Sequence, residues 1–375
     1  MMQLLAFLSL VSAVVQENTF AKKHPGPSPL KLDLTVSKTV GNVTSAEFWW
    51  KHSHQNVKRH GLKENISNRK NLAYFVDLYL GSSKQWVSVV LDTGSSDLWV
   101  PKSAYDPGQS YLSYDTGEPF SIGYIDGDVV KGRYFTDRLQ LDDDASVLHN
   151  FKFGRADTDG VGVLGIADKN QEASMREYSN LPWALKNAGV IPKASYSLYL
   201  GPSKSSGFLL LGGIDTEKYS GTLQKYNISK SSGGLGVNIK SVNFNGHKFT
   251  VNAPALLDCG TSLGLLGGEI MNELDGIFNT TIFYQNGIEY RLTSCDQPTD
   301  KTLDFDFGDN VISLTYADAV VHDDDICMLG FAYLENRQIL GDVFLRKAYV
   351  YYDLGEKTIS LAQVVYSNSS NVISA

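Results

Sequence analysis

The chain has 375 residues and a formal charge of −8, long enough for two substantial hydrophobic cores. An acidic balance argues against a nucleic-acid partner, because binding phosphates requires a basic surface. Three cysteines are too few for a disulfide scaffold, and no Cys-x-x-Cys or His-Glu-x-x-His spacing offers zinc a ligand set, so neither a metal nor a cofactor is expected.

The first element is an apolar run of 12 residues, Leu4 to Val15. It is too short to cross a bilayer but suits a secretory signal, with Val11-Ser12-Ala13 as a small-residue cleavage site. We therefore expect a signal over 1–13 and a leader over 14–59. Residues 1–59 hold seven Lys/Arg against three Asp/Glu, a balance of +4, whereas the remainder stands at −12. That asymmetry suggests a propeptide attached electrostatically and loosened in acid, where the carboxylates it pairs with protonate. Lys58-Arg59 is a dibasic site for a kexin-like processing peptidase. No later stretch reaches membrane length, and the polar end Ser367 to Ala375 carries no anchor tail, so a secreted, extracellular product without a membrane anchor is expected. Five sequons fit that route: Asn42 in the leader, then Asn65, Asn227, Asn279 and Asn368 as candidate glycosylation sites.

Beyond the leader the pattern is β. Phe75–Leu80, Trp86–Leu91 and Phe135–Leu141 are strand-like runs separated by Gly, Ser and Asp turns. Helices are few. Leu181 to Ala188 reads as one, with Asn180 at the N-cap, Pro182 in the first turn and Gly189 beyond its end. Glu269 to Phe278 reads as another. The glycine-rich Ser231 to Gly236 lies near a junction, and we place the lobe boundary at Asp215, giving lobes of 60–215 and 216–375.

The most informative pattern is a near-repeat. Asp92-Thr93-Gly94-Ser95-Ser96 returns 166 positions later as Asp258-Cys259-Gly260-Thr261-Ser262. Each copy follows an apolar run, Val89-Val90-Leu91 or Ala255-Leu256-Leu257, so each reads as a buried strand delivering a carboxylate into a glycine turn. One such Asp is an ordinary Asx turn. Two with the same lead-in and tail suggest a carboxylate pair sharing one proton.

These motifs resemble the pepsin-like aspartic peptidases. Leu91 to Pro101 is similar to the family's first active-site segment, and Phe120 to Gly127 to its flap hairpin. Val163-Leu164-Gly165 and Ile339-Leu340-Gly341-Asp342 match the two segments that thread behind the catalytic loops. Tyr196–Leu200, Gly212–Asp215, Tyr219-Ser220-Gly221 and the stretch from Phe344 to Val364 resemble the secreted yeast enzymes of the candidapepsin type. The likeness runs from about Tyr74 to Tyr366.

The resemblance implies an all-β, bilobal acid-protease fold with few short helices and the catalytic dyad between the lobes. It implies an aspartic-type endopeptidase, made as a zymogen, hydrolysing peptide bonds at acidic pH. Asp92 and Asp258 are the catalytic pair, supported by Thr93, Gly94, Ser95, Cys259, Gly260 and Thr261. Ser95 and Thr261 hold the outer carboxylate oxygens. Tyr124, Asp126 and Gly127 belong to the flap, Trp99 supports the flap tyrosine, and Ser262 joins the substrate side. Cys295 and Cys327 match the family's second-lobe disulfide, leaving Cys259 unpaired. Expected partners are extended protein or peptide substrates, pepstatin-like inhibitors and the chain's own propeptide, acting on a monomer.

Two positions depart from the family. Cys259 stands where a Thr or Ser hydroxyl normally answers Thr93, and Ile125 replaces the glycine after the flap tyrosine. They support a rival reading, a pepsin-fold binding protein with impaired catalysis. Other motifs carry little. Gly160 to Gly165 fits a dinucleotide fingerprint but follows Ala156-Asp157-Thr158-Asp159 instead of a strand. Asp142-Asp143-Asp144 and Asp323-Asp324-Asp325 lack ligand spacing and read as solvated acidic loops.

Overall fold

In the computed structural model the described residues are 26–36, 39–40, 43–44, 73–124, 129–141, 147–202, 207–285, 288–323 and 326–375. The signal segment, most of the leader with Lys58-Arg59, the sequons Asn42 and Asn65, the flap tip Ile125-Asp126-Gly127 and the Asp142–Asp144 run lie outside them. No helix among the described residues is long and apolar enough to cross a membrane.

Strands dominate, arranged as a thirteen-stranded sheet and an eleven-stranded sheet with two small ribbons. Each large sheet contains one strand that leads into a motif Asp. Gln85–Asp92 is buried over its last six residues, as expected of a strand covered on both faces. A second strand, Gly162–Gly165, lies parallel to it with Leu164 opposite Leu91 and Gly165 opposite Asp92. The second lobe repeats the device: His247–Leu257 runs parallel to Gln338–Leu340, with Leu257 opposite Leu340. The flap hairpin behaves differently. Tyr114–Gly123 alternates exposed and buried residues towards its end and pairs antiparallel with Val129–Gln140, so one face is solvated.

The first sheet also spans the lobes. Ser195–Tyr199 pairs with Ala348–Asp353, which pairs with Thr358–Val364. Tyr196 stacks on Tyr352 at 4.8 Å beneath the motif strands. A smaller apolar cluster, including Trp99, Phe120, Ile122, Tyr134 and Val163, packs under the flap with Tyr124 and Tyr178 against it.

One element lies in the expected leader. Leu30–Val36 forms a strand inserted between Gly207–Leu211 and Tyr74–Leu80. Leu32 and Leu34 are buried, and Lys31 sits over the Phe208 ring. Backbone pairing and apolar burial thus fasten this segment, a mode of attachment that the charge balance does not convey.

Both expected helices form, as Leu181–Asn187 and Gly268–Phe278. Asn180 occupies the N-cap position but makes no side-chain cap. Its amide donates instead to Ala167 O at 2.8 Å, because the helix start is packed against the loop behind Asp92. A third, one-turn helix, Asp342–Leu345, has no amphipathic period long enough to read from sequence.

Candidate active site

The motif strands bring Asp92 and Asp258 face to face, both buried. A Cβ placed on Gly94 would lie 2.7 Å from the Asp258 carboxyl carbon, and one on Gly260 would lie 2.4 Å from Asp92 Oδ1. Each glycine is therefore required by the opposite carboxylate, since any side chain would occupy its place. The two halves bind their carboxylates alike. Gly94 N–H donates to Asp92 Oδ1 at 2.7 Å and Ser95 Oγ to Oδ2 at 2.5 Å. Gly260 N–H donates to Asp258 Oδ1 at 2.9 Å and Thr261 Oγ1 to Oδ2 at 2.6 Å. Burial, and then the facing Asp258, push Asp92 up to about 8, against the hydrogen bonds from Ser95 and Gly94. The pair thus retains a proton throughout the acid range.

Beneath the carboxylates the lobes interlock. Thr93 Oγ1 donates to Leu257 O at 2.9 Å and accepts from Cys259 N–H at 3.0 Å. Cys259 Sγ reaches Leu91 O at 3.5 Å, the position matching the Thr93 bond. Burial and three nearby carboxyls push this thiol well above its usual range, so it stays neutral. Ser262 contributes its carbonyl, which accepts from Val343 N–H at 3.3 Å.

Trp99 Nε1 donates to Tyr124 OH at 2.6 Å, fixing the tyrosine over the Trp99–Phe120 cluster. Asp126 and Gly127 lie outside the described residues. Away from the cleft, Cys295 and Cys327 are disulfide-bonded and Cys259 is free. Asn227, Asn279 and Asn368 are exposed, so each sequon is reachable from solvent.

Sequence reasoning missed two carboxyls near the dyad. Asp97, five residues after Asp92, accepts from Tyr134 OH at 2.7 Å, Tyr178 OH at 2.9 Å and Ala173 N–H at 2.8 Å. It ties the Asp92 loop to the wall under Tyr124. Asp342 is fully buried, with neither carboxyl oxygen hydrogen-bonded. Burial, opposed by the Arg346 guanidinium and aided by the nearby Asp258, drives its pKa well up and favours the neutral acid. The cue for both is a carboxyl in an otherwise apolar segment, Ser96-Asp97-Leu98-Trp99 and Leu340-Gly341-Asp342-Val343.

Comparison with known proteins agrees with this geometry. The eukaryotic aspartyl protease family matches residues 73–364. Candidapepsin-1 of Candida albicans is 33% identical over 398 residues, covering 98% of this chain and 97% of its own. Candidapepsin of Candida tropicalis is 33% identical over 368 residues, with 92% and 90% covered. The crystal structure of the Irpex lacteus aspartic proteinase superposes with a TM-score of 0.67 at 21% identity, over 80% of this chain and 97% of that one, which establishes the bilobal β fold. With the family matched from the first body strand to the last strand of the lobe-spanning sheet, the chain belongs to the eukaryotic aspartyl proteases and is an aspartic-type endopeptidase.

Proposed function

We propose that the protein is a secreted, acid-active endopeptidase made as a zymogen, with Asp92 and Asp258 as its catalytic dyad. The observation that carries this is the mutual fit of the two halves: each Asp is held by its own turn while the opposite glycine leaves room for it. Two carboxylates this close cannot both ionise, so one proton is shared. The ionised member takes a proton from a water bound between them. That water attacks the scissile carbonyl, whose oxygen receives the proton of the protonated member, and the leaving amine is protonated as the tetrahedral species collapses. Ser95 and Thr261 keep the carboxylates oriented, and Tyr124, buttressed by Trp99, closes over an extended peptide. No covalent intermediate is required.

Secretion is supported by the apolar N-terminal run and by relatives named as secreted aspartic proteases in Candida albicans. The zymogen reading draws on Lys58-Arg59 and on the Leu30–Val36 strand, which occupies a slot in the sheet before any cut at Arg59. Removing it requires pulling out buried Leu32 and Leu34, so cleavage alone would not release it without acid or competition from the new terminus. The impaired-binding-protein alternative rests on Cys259 and Ile125, and the thiol keeps a contact with Leu91 O.

Cleavage of denatured haemoglobin or albumin from pH 2 to 7, with and without pepstatin, tests the proposal beside Asp92→Asn. Acid-limited, pepstatin-sensitive hydrolysis that vanishes in the variant is expected. A processed, folded chain that cuts nothing would refute the dyad reading.

A further inference from the structure

Asp168 lies just past the strand that backs Asp92, in the segment that fixes the first catalytic loop. Ile166 N–H donates to Asp92 O at 2.9 Å and Ala167 N–H to Ser95 O at 2.8 Å. Ser96 Oγ, buried, donates to the Asp168 carbonyl at 2.6 Å. Any shift of residues 166–168 is therefore passed directly to Asp92 and to the Ser95 hydroxyl that orients it.

The Asp168 carboxylate is itself buried, and Lys357 Nζ pairs with its Oδ2. Lys357 belongs to the other half of the chain. It sits in the turn between Ala348–Asp353 and Thr358–Val364, in the left-handed region at φ 56°, and its carbonyl accepts from Ile228 N–H at 3.0 Å. A second tether runs beside it, from Gln171 Nε2 to Gly233 O at 3.0 Å. Counting from the equivalent glycines Gly165 and Gly341, the position matching Asp168 is the buried Phe344. Where the first half carries an ion pair, the second carries an aromatic ring packed on Phe305 and Phe307. A surface ion pair contributes little, but one whose carboxylate is buried leaves an uncompensated charge when its cation is removed.

We propose that Lys357 and Asp168 form a positioning pair that holds the Asp92 loop in register from across the lobes. This rests on the dyad reading above. The pair touches neither substrate nor reacting atoms, and it acts on turnover through the placement of Asp92 and Ser95. Displacing a catalytic group slightly costs rate much more than affinity for a substrate held along an extended cleft.

The test is steady-state kinetics on a peptide substrate at acidic pH, with active sites counted by pepstatin titration. Lys357→Met should lower kcat about tenfold with KM within about twofold. Lys357→Arg should restore most of the loss, while Lys169→Met, which removes the exposed Lys169–Glu177 pair, should leave kcat unchanged. The inference is overturned if Lys357→Met matches wild type, if Lys357→Arg is as slow as Met, or if the change falls in KM. Asp92→Asn, run alongside, separates the two failures: an inactive wild type refutes the dyad reading and this inference with it, whereas an active wild type indifferent to Lys357 refutes this inference alone.

Discussion

Replacing Cys259 by threonine should stabilise the protein. The two lobes meet through paired contacts below the dyad, and the halves are unequal. Thr93 Oγ1 lies 2.9 Å from Leu257 O, a sound hydrogen bond, whereas Cys259 Sγ lies 3.5 Å from Leu91 O and is a weak donor. A hydroxyl there would add a bond with a net value of about 1 kcal/mol. The 3.5 Å contact is 0.6 Å longer than the Thr93 bond and a C–O bond is shorter than C–S, so the two loops must close by more than half an ångström to make it. The Thr93 side demonstrates that this backbone geometry accommodates such closure. Threonine also adds a methyl, which offsets the volume lost with the larger sulfur in a site that is 1% exposed.

For a body of this size, about 1 kcal/mol corresponds to a rise of roughly 2 °C in the thermal midpoint. Denaturant unfolding at acidic pH, with pepstatin present to suppress self-digestion, measures the same quantity. Cys259→Ala should go the other way by about 1–2 kcal/mol, through the lost thiol contact and the small cavity left behind. Turnover in Cys259→Thr should equal or exceed wild type. If Cys259→Thr and Cys259→Ser both leave stability and turnover unchanged, the thiol is not a weak point in the interlock and the reasoning fails.

Stability should fall as pH rises from about 4 to 8. Burial, and secondarily Asp97 and Glu177, raise Glu172 to about 8, and Asp92 is raised to about 8 by burial and Asp258. An acid with a raised folded-state pKa contributes stability that is complete below its unfolded value and lost as pH climbs to the folded one. Urea midpoints across that range check the trend, and Glu172→Gln, which keeps an acceptor for Tyr178 N–H, should flatten it. An identical pH slope in that variant would dismiss Glu172 as a source. Replacing Cys295 and Cys327 together by serine should cost roughly 3–4 kcal/mol from the 32-residue separation that the bridge closes, read from denaturant midpoints. Losses below about 1 kcal/mol would mean that the bridge is not holding the second lobe. Trp99→Phe removes the 2.6 Å bond to Tyr124 OH and should reduce kcat/KM about fivefold, beside a loss of about 1–2 kcal/mol in unfolding from the smaller buried ring; unchanged kcat/KM would mean the indole acts only by packing.

What the sequence makes legible is what is local. An apolar run entering Asp-x-Gly fixes a strand, a turn and the direction of a carboxylate within five residues, and doing so twice implies the pair. The Trp99–Tyr124 bond, the disulfide and the flap come through resemblance, not through residue chemistry. The remaining support is long-range and leaves no local trace. Asp168 and Lys357 are 189 positions apart, and Asp97 gathers three donors from two distant segments, Tyr134 and the loop holding Ala173 and Tyr178. Asn180 shows the limit in miniature: its cap position follows from local pattern, but its side chain is taken by Ala167 O from another loop. The Leu30–Val36 strand is a different case. Its alternation, Leu-Lys-Leu-Asp-Leu-Thr-Val, is a plain strand signal, but reading the leader by its charge passes over it.

The two halves are built on one plan, and the departures from that plan cluster behind the dyad. Thr93 is answered by Cys259, Ile166 by Asp342, and Asp168 by Phe344. Each exchange changes polarity rather than size alone. The Thr93 hydroxyl serves Leu257 O of the second half and the Cys259 thiol serves Leu91 O of the first, while an ion pair lies beside the Asp92 loop and an unpaired buried acid beside Asp258. A dyad in perfectly equivalent surroundings would share its proton without preference. These surroundings place an ion pair beside the Asp92 loop and a desolvated acid beside Asp258. On the proposed mechanism, in which one carboxylate accepts while its neighbour donates, these unequal residues behind the loops would favour one placement of the shared proton over the other.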